Sequence, residues 1–149
     1  MSVSSSIKDT LIEKINALSS TQTVYGYHRN NPTGFPAVTV VANNMDGEFT
    51  STAENRRSYS YEMLVMYPVG KDIPEIDNLP INEKAENVIS ETVEDIIDAL
   101  DDDFSLTGNA NALFSQAADA SWGFVDYEGG IAKACRITVV VESDYNVTT

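Results

Sequence analysis

The sequence predicts an α+β fold: a two-layer sandwich in the order α-β-β-β-α-β-β. Its five-stranded, mainly antiparallel sheet would carry two helices packed on one face. Three observations lead there. Two segments, about 7–18 and 82–103, place their apolar residues at helical spacing. Three further runs, 35–42, 58–67 and 131–142, read as strands. Gly129-Gly130 stands between two alternating segments, which is a hairpin signal. At 149 residues the chain is sized for one domain, 1–149, with enough length to bury a core.

The first helix is expected to start at Ser6 as N-cap, with Asp9 three residues on and Ile7, Leu11, Ile12, Ile15 and Leu18 on one face. Thr23–His28 is a short strand, followed by an Asn-Asn-Pro-Thr-Gly turn over 30–34. The run FPAVTVVA, 35–42, is apolar on both faces and so suits the interior of a sheet, with Pro36 at its start. The polar stretch 43–57 is long for a hairpin connection. It is either a loop or two extended strand ends projecting from the body, and Met45 and Phe49 stand out in it as apolar residues. Arg56-Arg57 is the only Arg-Arg doublet. In SYSYEMLVMY, 58–67, Tyr59, Tyr61, Met63, Val65 and Tyr67 share one side.

The second helix, Asn82–Asp103, carries Ala85, Val88, Ile89, Thr92, Val93, Ile96, Ile97 and Leu100 in one broad stripe, with Asn82 as N-cap. Residues 104–121, rich in Ala, Asn and Ser, suggest a short helix over 111–118. The closing hairpin pairs 121–128 with 131–142. If Glu128 faces Ile131, then Asp126 meets Lys133, Phe124 meets Cys135 and Trp122 meets Ile137. The second strand then outruns the first and leaves an edge for another subunit.

Charge is the strongest compositional signal. The formal net charge is −14, and it is uneven: residues 1–81 hold nine acids and six bases, residues 82–149 fourteen acids and three bases. Such a chain lacks the clustered Lys and Arg needed to bind nucleic acid by counterion release. Nine carboxylates and one Lys fall between Glu83 and Asp103. Glu91 with Asp95, and Glu94 with Asp98, are like-charge pairs four residues apart, each costing roughly 0.2–0.5 kcal/mol. Asp101, Asp102 and Asp103 end the helix, where its dipole disfavours negative charge. Local stability does not account for this face. It serves as a solvated surface, meets a basic partner, or repels another polyanion.

Reactive chemistry is poorly represented. His28 is the only histidine and Cys135 the only cysteine, so neither a transition-metal ligand set nor a disulfide is expected. Cys135 reads as a buried structural thiol, and no Gly-x-Ser-x-Gly, P-loop or dinucleotide motif occurs. The Asp101–Asp103 run lacks the alternation of a calcium loop. No apolar run is long enough to span a membrane, and MSVSSSIKD lacks the basic start of a signal peptide. The expectation is a non-enzyme without cofactor or metal.

The order SIKDTLIEKINAL, VYGYHRNNPTGFPAVTVVA, RRSYSYEMLVMYPVG, NVISETVEDIIDAL and WGFVDYEGGIAKACRITVVVES resembles the tail terminator, or tail completion, proteins of tailed bacteriophages, the lambda-like family. The resemblance covers nearly the whole chain but is one of order, length and texture, with no catalytic motif. It implies a structural virion protein of the tail and neck, assembled in the host cytoplasm. Six copies would close into a hexameric ring that caps the tail tube, stops its polymerisation and joins the head–tail connector or stopper. DNA would pass through without being bound. Within that reading Met45, Phe49, Arg56 and Arg57 are candidate ring or tube contacts. Glu91, Glu94, Asp95, Asp98, Asp101, Asp102 and Asp103 are a candidate acidic channel or docking face. The alternatives are a head–tail adaptor or stopper, a tube subunit that polymerises alone, and an acidic DNA mimic that occupies a basic protein.

Overall fold

A computed structural model describes residues 3–18, 21, 23–27, 32, 34–49, 54–69, 81–103, 106, 114–127 and 130–146. Among these it shows the α+β class, with two helices and one mixed sheet. The elements run α1 (Val3–Asn16), β1 (Thr23–Tyr25), β2 (Ala37–Phe49), β3 (Glu54–Val69), α2 (Ile81–Asp102), β4 (Phe114–Tyr127) and β5 (Gly130–Asn146). The strands lie in the order β1-β2-β3-β5-β4. β1 pairs parallel to β2, and the remaining pairs are antiparallel.

Both helices cover the same sheet face. Ile7, Leu11 and Ile15 of α1 and Ile89, Val93, Ile96 and Leu100 of α2 pack on Val38, Val40, Tyr59, Tyr61, Met63, Val65, Cys135, Ile137, Val139 and Val141. The four-residue and three-residue spacings in the helices and the two-residue spacing in the strands bring these apolar sets to one interface. On the opposite face a smaller cluster of Ala37, Leu64, Met66, Ala132 and Ala134 sits under Phe35, Val125 and Tyr127.

Element boundaries differ from the expectation in instructive places. α1 begins at Val3, so Ser6 lies within the helix and its carbonyl accepts the Thr10 hydroxyl. The Tyr61 hydroxyl donates to the Ser4 carbonyl at 2.8 Å and anchors that added turn. The other end is held by Thr21, whose hydroxyl donates to the Ile15 and Leu18 carbonyls and satisfies C-terminal acceptors. α2 begins at Ile81, which puts Asn82 in the first turn and not at the cap.

The expected short helix at 111–118 is contradicted over its described part, because β4 starts at Phe114. Ala and Ser there pair along β5 with a bulge between Ala117 and Asp119. Tertiary pairing overrides the helix propensity of alanine. The hairpin register is also shifted by two residues: Tyr127 pairs Gly130, Asp126 pairs Ile131, Phe124 pairs Lys133 and Trp122 pairs Cys135. A shift of two keeps every side chain on its expected face. Gly130 has φ +134°, a region that favours glycine and closes the strand pair there.

The largest correction concerns edges. β5 lies between β3 and β4, so the 131–142 strand offers no open edge to a neighbour. The outer strands are β4 and, past the short β1, the length of β2 beyond Thr39.

Candidate functional site

The stretch 43–57 is folded into the sheet at every described position. β2 and β3 stay paired from Ala37–Met66 out to Phe49–Asn55, with one irregularity between Ala42 and Asn44. β5 follows β3 without interruption out to Glu54–Asn146. Three strands, not two strand ends, therefore form this arm.

Strand register sorts the arm's positions into two sets. β3 positions 59, 61, 63 and 65 face the helices, which fixes the side of every residue paired with them. Met45, Gly47, Phe49, Asn55, Arg57, Ser143 and Tyr145 take helix-side positions. Asp46, Glu48, Glu54, Glu142 and Asp144 all take positions on the opposite side.

Of the candidate contact residues, Met45 is 57 % exposed and Arg57 is half-buried. The side chains of Phe49 and Arg56 lie outside the described residues. In backbone register Arg56 pairs Glu48 on β2 and Asp144 on β5. The four candidates are thus brought to one arm, with Met45 and Arg57 on its helix side.

On α2, Glu91, Glu94, Asp98, Asp101 and Asp102 are exposed and Asp95 is half-buried. Positions 87, 91, 94, 98 and 101 advance by four and three, so they form one ridge along the helix. That ridge points away from the sheet, because Ile89, Val93, Ile96 and Leu100 occupy the buried side. Asp103 departs from the expected set. It forms an ion pair with Lys14 and ties the end of α1 to the end of α2. Glu86, near the other end of α2, pairs with Lys133 at 3.1 Å.

An exposed aromatic pair was not read from the sequence. Trp122 is 47 % exposed and Phe124 66 % exposed, on the outer strand β4. Lys133 lies 5.0 Å from the centre of the Phe124 ring, within cation–π range. The alternation of 121–128 signals a half-buried strand but not whether another strand lies beyond it.

Burial raises the Cys135 thiol pKa, with Asp119 adding to the rise and a Ser121 backbone hydrogen bond opposing it. The residue is fully buried, which fits a structural thiol. Burial likewise raises the Tyr61 phenol, while the hydrogen bond with Ser4 opposes the shift. His28 lies outside the described residues. Among the described residues, no group of three or more His, Cys, Asp or Glu could hold a metal ion. None of the described helices is long and apolar enough to cross a membrane.

No protein-family model and no curated protein matches the chain.

Proposed function

We propose that this chain is the repeating subunit of a ring of the phage tail terminator kind. Six copies close around a central passage, cap the tail tube, end its polymerisation and present a surface to the head–tail connector or stopper. The observation that carries this reading is the arm. Three paired strands, β2, β3 and β5, run on past the bulk of the helix-side core out to Phe49, Glu54 and Asn146. An arm of this kind reaches a neighbour more readily than it stabilises its own core. A head-to-tail contact that repeats by rotation closes a ring. The resemblance in element order supports the same assignment.

Electrostatics adds a second line of support. Six copies at −14 each carry −84. An acidic wall repels a polyanion over about 8 Å at physiological salt, so DNA would pass without adhering. The exposed ridge of α2 has the right sign. In this reading the protein has no catalytic role, works without a cofactor, and resides in the virion tail after assembly in the host cytoplasm.

The test is negative-stain imaging of the purified protein, alone and with purified tail tubes. Closed six-fold rings and capped tube ends support the proposal. Long tubes formed by the protein alone would make it a tube subunit. Monomers that ignore tubes but bind a basic nucleic-acid-binding protein, with strong salt dependence, would make it a DNA mimic.

A further inference from the structure

We propose that the open edge of β4 pairs, strand to strand, with the free margin of β2 in a second copy of this chain. The inference rests on the ring reading and names the two edges that join there.

The sheet order leaves two margins. Among the described residues no strand pairs β4 on its outer side, and β1 covers β2 only as far as Thr39. Both margins are uncharged in a chain of net charge −14: Ala120 to Val125 on β4 and Val40 to Met45 on β2 contain no acidic or basic residue. Monomeric proteins blunt open edges with charge or proline, and neither occurs in these two stretches. Copies that repel one another by net charge approach most readily where neither carries any. Each margin also displays large exposed apolar side chains, Trp122 and Phe124 on β4 and Met45 on β2.

Backbone phasing makes the two edges compatible. The Ser121 backbone hydrogen-bonds to the Cys135 thiol on β5, so alternation turns the N–H and C=O groups of Ala120, Trp122 and Phe124 outward. On the other margin the Thr23 N–H donates to the Pro36 carbonyl, so Val38, Val40 and Ala42 share the phase that points away from β3. In both strands these are the helix-side residues. Val38 and Val40 belong to the core and Ala42 pairs with core Tyr61, while Ala120 packs on the core and Trp122 pairs with core Cys135. Joined in antiparallel register, the edges therefore keep the helices of both copies on one side of a continuous sheet. The opposite phasing would place them on opposite sides.

Strand direction agrees. β2, β3, β5 and β4 alternate in direction, and a second copy's β2 beside β4 continues the alternation. Rotation about an axis along the strands repeats this heterologous contact from copy to copy. Because β1 blocks β2 up to Thr39, Val40 is the first free position of the right phase. Setting it opposite Asp126, and allowing for the extra residue between Ala42 and Asn44, brings Ala42 opposite Phe124 and Met45 opposite Trp122. The Met45 thioether then meets an indole, and small Ala42 leaves room for the Phe124 ring.

Cysteine cross-linking of the assembled protein tests this. Met45→Cys with Trp122→Cys in one chain should join copies under mild oxidation into a covalent ladder that stops at six subunits. Within one chain the two positions lie three strand spacings apart, beyond disulfide reach. Neither single variant should cross-link. Phe124→Pro removes an outward N–H and spares the bonds to β5. It should stay folded by circular dichroism and associate on the order of tenfold more weakly than Phe124→Ala in sedimentation velocity. Dimers formed by Trp122→Cys alone would show β4 pairing with itself and overturn the inference. An absent ladder in a chain that still forms rings would overturn it too, as would Phe124→Pro assembling as well as Phe124→Ala. A wild-type chain that stays monomeric at every concentration would remove the ring reading as well.

Discussion

Replacing Asp98 by lysine should make the folded subunit more stable. Asp98 is exposed on α2 and has acids on every helical neighbour: Glu94 and Asp95 before it, Asp101 and Asp102 after it. Each like-charge pair at three- or four-residue spacing costs roughly 0.2–0.5 kcal/mol, and each opposite pair returns a similar amount. The introduced ammonium would engage one carboxylate at a time, so the repulsions removed and one attraction gained sum to roughly 1–2 kcal/mol. For a domain of this size that corresponds to a Tm increase of about 3–6 °C. The assay is calorimetry of dilute, unassociated protein at low ionic strength, repeated near 1 M salt. Screening shortens to about 3 Å there, and most of the gain should vanish. An unchanged or lower Tm at low salt, or a gain that survives high salt, would refute the electrostatic account of the ridge.

Other outcomes follow from the same structure. Met45→Ser with Phe49→Ser should leave the monomer folded by circular dichroism and reduce ring assembly, and unaltered assembly would count against the arm. Lys14→Met should cost about 1–2 kcal/mol in urea unfolding, because the Lys14–Asp103 pair is only 21 % and 23 % exposed and its loss removes the ammonium that offsets a carboxylate at a helix C-terminus. Tyr61 and Cys135 hold their protons to higher pH when folded than their ordinary values of 10.0 and 9.0. Above about pH 9 the unfolded chain therefore binds fewer protons than the native one, and stability falls as pH rises. Tyr61→Phe should make that alkaline loss shallower, at a cost near 1 kcal/mol at neutral pH for the hydrogen bond to Ser4. An alkaline unfolding curve with the wild-type slope would contradict it.

The helices and the core of the sheet were legible because their apolar residues carry the period. Ile89, Val93, Ile96 and Leu100 repeat at helical spacing, and Tyr59 to Val65 alternate at strand spacing. The arm was harder because its alternation is written in charge. Asp46 and Glu48, Glu54 and Arg56, and Glu142 and Asp144 each recur every second residue, which is strand period in polar dress. The first part of β4 departs from the helix expected over 111–118 because its Ala-rich run favours helix locally, and Phe114 to Ala117 become strand only by pairing with β5. Strand order is invisible to periodicity, so neither the interior place of β5 nor the exposed Trp122 and Phe124 could be read. Among the site residues, the outward face of α2 was recoverable from spacing, whereas the capture of Asp103 by Lys14 depends on how the two helices dock.

Native mass spectrometry of the purified chain tests the central claim most directly. A ring of six 16.3 kDa subunits has a mass near 98 kDa, and that species should dominate. A single 16.3 kDa species at every concentration, with or without tail tubes, would contradict the account.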